Sequence, residues 1–292
     1  MWDVNTLRLI LALTDGSSNY LNLLFSPDGK WLAYTGGADD IRIRNAATGV
    51  LLRSIPQANT NLAWSADSRW LAALDSRFVT VFLVATGEKV GSIPAEPDAH
   101  ILFTPDGQLV CAGSSTISIW NTTAGHKVRT FPHPASFTAK MSDLPPVIIR
   151  TLALCCEGKK LIVEYHAPAG NLHYIPAPSD FAPHVFTTIV FLDLATGKQS
   201  TLDFNKAFFM AASLEGAKIA FARCLQQRKS GTAICVYSVR EKRFISLFAG
   251  EKWITGLTFS PDGKLLAALG RRLSIWHVET GPKLPNITST RP

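Results

Sequence analysis

The apolar residues of this chain fall in short runs punctuated by turn chemistry, and nowhere do they sustain the 3.6-residue period of a helix. Runs such as Trp31-Leu32-Ala33-Tyr34 and Lys264-Leu265-Leu266-Ala267-Ala268-Leu269 predict strands, with Val and Ile enriched in the later strand of each group. The pattern predicts an all-β chain.

Two turn signals recur in fixed order. The first is an apolar strand ending in an aromatic and a tight turn: Phe25-Ser26-Pro27-Asp28-Gly29, Trp64-Ser65-Ala66-Asp67-Ser68, Phe103-Thr104-Pro105-Asp106-Gly107 and Phe259-Ser260-Pro261-Asp262-Gly263. Degenerate copies stand at Leu154-Cys155-Cys156-Glu157-Gly158 and Ala212-Ser213-Leu214-Glu215-Gly216. The second is a strand closing in Thr-Gly or Ala-Gly, as in Ile43-Arg44-Asn45-Ala46-Ala47-Thr48-Gly49 and Trp276-His277-Val278-Glu279-Thr280-Gly281. Pro presets φ and Gly accepts positive φ, so each signal marks a hairpin bend. From Phe25 to Trp64 to Phe103 the step is 39 residues, close to the roughly 40 to 45 of a four-stranded propeller blade.

These motifs, spread from Trp2 to Gly281, resemble the WD-repeat propellers, in the divergent form common among bacterial-type repeats. The Gly-His dipeptide usual in that family is missing from its place in every blade, the one copy, Gly125-His126, lying in an Ala-Gly turn, and Trp-Asp itself survives only at Trp2-Asp3. The resemblance implies one WD40-like domain over residues 1–292, with a loose tail at 282–292. The fold expected is a six-bladed β-propeller of four-stranded antiparallel blades, used for protein binding. Residues 7–13 form an apolar strand without its own triplet, whereas the last candidate strand carries Pro282 and Pro285. The N-terminal strand is therefore expected to complete the C-terminal blade and remove an exposed edge. The rival is a partial seven-bladed propeller whose first blade lies upstream.

Composition narrows the function classes. At 292 residues and 47% apolar content the chain can build a core. No run of about 18 apolar residues predicts a membrane span, and Met1-Trp2-Asp3-Val4 lacks a secretory leader's basic start, so a cytoplasmic monomer without membrane contact is expected. The net charge of +7 favours acidic partners, but Lys and Arg are scattered rather than clustered as in a nucleic-acid groove. Five cysteines without metal-ligand spacing read as packed thiols, with Cys224 and Cys235, flanking one hairpin, the pair to examine for a disulfide.

In an antiparallel blade of strands a to d, the a–b and c–d turns share one end and the b–c and d–a connections the other. Extra length goes to the second end at residues 132–147, 166–186 and 225–231, between and within blades three to five. These insertions carry Phe137, Lys140, His173, Tyr174, Phe181, Phe186, Arg228 and Lys229, a mixture of aromatics and cations that suits a protein-binding surface. The function expected is a non-catalytic interaction scaffold.

The alternative is an enzyme or ligand-binding propeller with its site at the channel mouth. Alignment on the turns places Asn22, Asn61 and His100 at the start of the first three a strands, with Asp98 two residues earlier. One carboxylate is too few for a hard-metal site or an acid/base pair. The spacing of His166, His173 and His184 fits no zinc pattern, and no phosphate loop, hydrolase elbow or HExxH helix occurs. No cofactor, metal or catalysis is therefore expected.

Overall fold

The computed structural model describes residues 22–35, 40–56, 61–96, 98–134, 148–167, 186–205, 207–213, 218–224, 232–250, 254–270 and 272–279. The chain divides into two compact units, Met1–His133 and Pro134–Pro292, each carrying three antiparallel sheets. The described residues contain no helix.

In the first unit, blade one is β1 (Asn22–Phe25), β2 (Trp31–Thr35), β3 (Asp40–Asn45) and β4 (Leu51–Pro56). Blade two is β5 (Asn61–Trp64), β6 (Trp70–Leu74), β7 (Phe78–Leu83) and β8 (Lys89–Pro94). Blade three is β9 (His100–Phe103), β10 (Leu109–Ala112), β11 (Thr116–Trp120) and β12 (Lys127–Pro132).

In the second unit, blade four is β13 (Ile148–Cys155), β14 (Lys160–Ala167), β15 (Phe186–Asp193) and β16 (Gln199–Asn205). Blade five is β17 (Ala207–Ala212), β18 (Lys218–Cys224), β19 (Thr232–Ser238) and β20 (Arg243–Gly250). Blade six shows β21 (Gly256–Phe259), β22 (Leu265–Leu269) and β23 (Leu273–His277). Every sheet pairs its strands in sequence order. Residues 7–13 and 282–292, and with them the expected closing strand and tail, lie outside the described residues.

The first turn signal works through a hydroxyl and a carboxylate. Ser26 Oγ donates to Asp28 Oδ1 at 2.6 Å and accepts from the Trp31 amide at 2.9 Å, while Asp28 Oδ1 accepts from the Lys30 amide at 3.1 Å. The same set recurs at Ser65 with Asp67 and at Ser260 with Asp262, and Thr104 bonds Asp106 in the same way. The fourth turn position needs positive φ, which Gly29 supplies at 71° and Ser68 adopts at 61°.

At the second signal the Asn45 side chain accepts from the amides of Ala47 and Thr48 at 3.0 and 2.9 Å. Asn121 and Asp193 repeat this Asx turn. Each such c strand of blades one, two, three and five ends in a bulge opposite its d strand, between Ile43 and Arg44, Val81 and Phe82, Ile119 and Trp120, and Val236 and Tyr237.

β6 is buried on both faces, because blades one and three cover its two sides, and it therefore reads as a continuous apolar run rather than an alternating one. Ile41, Leu71, Ala73 and Val84 fill the interface of blades one and two, and Leu74, Ile93, Ile101 and Leu109 that of blades two and three. Each fully buried Leu or Ile contributes roughly 1.5–3 kcal/mol. The outer strands β4, β8 and β12 are largely exposed, and each has one fully buried apolar residue, Ile55, Ile93 or Phe131, followed by Pro56, Pro94 or Pro132. A terminal proline withholds a ladder donor from an otherwise open edge.

The register answers the question that the sequence raised about Cys224 and Cys235. Cys224 lies opposite Thr232, and Cys235 lies opposite Phe221. The two cysteine positions are thus three residues apart along the ladder, roughly 10 Å, which is more than a disulfide spans. Cys235 is buried, and Cys111 and Cys155 are buried free thiols.

Candidate functional site

The expected division of the blade ends holds sheet by sheet. The three insertions connect β12 to β13, β14 to β15 and β18 to β19, all at the b–c and d–a end. Blades four and five belong to one unit, and β17 contacts both β13 and β15, so their b–c openings lie at the same end of adjacent sheets. Phe186 is the first residue of β15. Phe137, Lys140, His173, Tyr174, Phe181, Arg228 and Lys229 lie outside the described residues, as do His184 and the bulk of each insertion.

The channel-mouth candidates separate. Asn22, Asn61 and His100 open β1, β5 and β9, opposite Thr35, Leu74 and Ala112. They occupy equivalent positions at one end of three successive sheets, as the turn alignment required. Asp98 sits off the strand in an exposed turn, with φ at 58°. Among the described residues, no group of three or more His, Cys, Asp and Glu is arranged to hold a metal ion.

Two acidic residues that sequence reasoning passed over shape this end of the blades. Glu96, in the connection between blades two and three, accepts from Ser114 Oγ at 2.8 Å and the Ser115 amide at 2.9 Å. Burial pushes its carboxyl up, but these donors outweigh it and hold the group below the usual range. On the same turn, the buried His133 ring places Nε2 3.1 Å from the Gly113 carbonyl, and burial lowers its affinity for a proton. Glu96 and His133 together clamp the b–c turn of blade three.

Glu164 lies opposite Thr151 in the a–b ladder of blade four, 1% exposed. Its Oε2 has no hydrogen-bond partner among the described residues. Burial raises its pKa, against a hydrogen bond from Thr151 and the charge of Arg150. The signal was visible as one carboxylate inside Leu161-Ile162-Val163-Glu164-Tyr165, but only the sheet shows that both faces of that run are covered.

Antiparallel meanders with repeated Ser-Asp and Asx turns, five of four strands and one of three among the described residues, define a six-bladed β-propeller. Residues 242–277 match the family "WD domain, G-beta repeat". A 116-residue stretch is 31% identical to an uncharacterized WD repeat-containing protein of Synechocystis sp., covering 37% of this chain and 33% of that relative. The match thus spans about a third of the curated relative's length.

Among solved structures, the β-propeller domain of Cps50 (Swd1) from Myceliophteria thermophila superposes with a TM-score of 0.70 over 96% of this chain and 88% of that one, at 13% identity. Kuenenia stuttgartiensis hydrazine synthase does so with a TM-score of 0.53 over 91% and 97%, also at 13% identity. These findings support a WD40-like family for the chain, and the two superpositions show the fold alone.

Proposed function

We propose that this chain is a non-catalytic interaction scaffold that binds a protein or peptide on the loop-bearing ends of blades three to five. WD40-like propellers commonly serve as protein-interaction scaffolds. The observation that carries the reading is the placement of the extra length: within the second unit, the connections from β14 to β15 and from β18 to β19 both join b to c strands of adjacent blades. A rigid sheet supports each loop, and in the first unit Glu96 and His133 fix the equivalent turn of blade three. Long loops on a fixed frame are where recognition concentrates, because variation there leaves the core intact.

The proposed contacts are Tyr174, Phe181 and Arg228, supported by Phe137, Lys140, His173, Phe186 and Lys229. The partner surface is acidic, matching a chain of net charge +7, and the proposed compartment is the cytoplasm. The test replaces Tyr174, Phe181 and Arg228 together with alanine and compares capture of partners from native lysate by quantitative mass spectrometry. Loss of a specific partner with an unchanged thermal melt supports the reading; identical capture overturns it.

A further inference from the structure

The groove between blades five and six opens, at the end of the sheets opposite the insertions, into a cavity of about 320 Å³. Its lining includes Lys218, Arg240, Glu241, Arg243, Ser246 and Glu279. The repeat explains why a cavity exists here.

Lys218 opens β18 and donates its amide to Ser213 Oγ at 3.3 Å. Trp31 and Trp70 hold the same position in blades one and two, donating to Ser26 Oγ and Ser65 Oγ at 2.9 Å. Each indole packs against the apolar cluster between its own blade and the next. On the outer strand, Ser246 stands opposite Val236 at the bulge, where blade one places Arg53 opposite Ile43. Arg53 Nη2 reaches the Ala85 carbonyl in the following blade at 2.5 Å, and Ser246 Oγ reaches the Val278 carbonyl at 2.5 Å. Blade five therefore keeps the link between blades while replacing an indole by an ammonium chain and a guanidinium chain by a hydroxymethyl. The missing volume is the cavity.

The replacement keeps one cation but moves it from the outer strand to Lys218, beside Arg240 and Arg243 on the wall. Lys218 Nζ, 19% exposed, is held 3.2 Å from Glu279 and 3.4 Å from the Gly263 carbonyl. Arg243 pairs with Glu241 at 2.5 Å. Arg240 has no ion-pair partner among the described residues, which leaves one cation in excess on the wall. Glu279 and Glu241 are 75% and 50% exposed, so both can swing into water when an anion takes their place.

We propose that this groove binds a phosphoryl group. Two guanidiniums and one ammonium offer more donors than the two oxygens of a carboxylate use, and they match the three terminal oxygens of a phosphate. The site is separate from the loop-bearing ends and does not depend on them. The group can come from a free phosphate or from a phosphorylated side chain of a peptide, and the test distinguishes these sources.

The full chain is titrated at low salt by calorimetry with inorganic phosphate, with a phosphoserine peptide and with the same peptide unphosphorylated. Arg240→Ala should weaken binding by about tenfold. Lys218→Trp, which restores the ring of blades one and two, should abolish it, and Lys30→Ala in blade one should leave it unchanged. Arg240 is exposed, so its variant folds even if Lys218→Trp does not. Preference for the phosphopeptide with the unphosphorylated peptide silent marks a phosphorylated partner; equal affinity for inorganic phosphate marks a small free ligand. Absence of binding by either phosphate probe, or unchanged binding in Arg240→Ala, overturns the proposal.

Discussion

Thr151 stands directly across the a–b ladder from Glu164 and donates to a carboxyl whose other oxygen is buried without a partner among the described residues. A carboxyl with a raised pKa stabilises the fold only while it is protonated. Its contribution is full below the ordinary glutamate range and is lost as pH rises through the raised folded value. Glu164→Gln should therefore raise the melting temperature at pH 7 to 8, and the gain should vanish under acid conditions. Melts across that range decide the matter, and a gain that persists unchanged into acid would contradict the assignment.

The Ser-Asp turns titrate in the opposite sense. Hydrogen bonds from Ser26 and Ser65 hold Asp28 and Asp67 below the usual carboxylate range. Depressed carboxylates stabilise above their unfolded pKa, and that contribution disappears as pH falls through the folded value. Asp67→Ala should cost about 1–2 kcal/mol near neutrality, with the difference from the parent shrinking in acid. Urea midpoints at neutral and acid pH measure it.

Gly113 and Glu96 are coupled by contact. A β-carbon on Gly113 would lie 2.6 Å from the Glu96 carboxyl carbon, forcing that side chain off Ser114 and Ser115. Gly113→Ala should cost about 1–2 kcal/mol alone, yet almost nothing in a Glu96→Ala background. A double-mutant cycle gives the answer directly, and additive costs would show that the clamp does not bear on the turn.

Thiol chemistry follows burial. Burial first, and the charge of Glu96 second, push the Cys111 thiol up to about 12. Native alkylation at pH 8 should leave Cys111 and the buried Cys155 unmodified while the partly buried Cys156 reacts. Peptide mapping without reductant should find no bond between Cys224 and Cys235.

The sequence by itself determined the blade. Hydroxyl, carboxylate and glycine at fixed offsets close hairpins through bonds that span only two to five residues, so Ser26-Pro27-Asp28-Gly29 announces its turn without help from the rest of the chain. The same local chemistry placed Asn22, Asn61 and His100 at the heads of their strands and located all three insertions. Tertiary structure decided what depends on separation between strands and blades. The register put Cys235 opposite Phe221 rather than Cys224. Coverage of both faces of β14 turned Glu164 from one charge in an apolar run into a buried acid. Between blades five and six, the exchange of Trp31 and Arg53 equivalents for Lys218 and Ser246 became an open groove, and Arg240 and Arg243 add its further cations. Local bonds fix turns, but volume and charge in a groove belong to two blades at once, and no single segment carries that information.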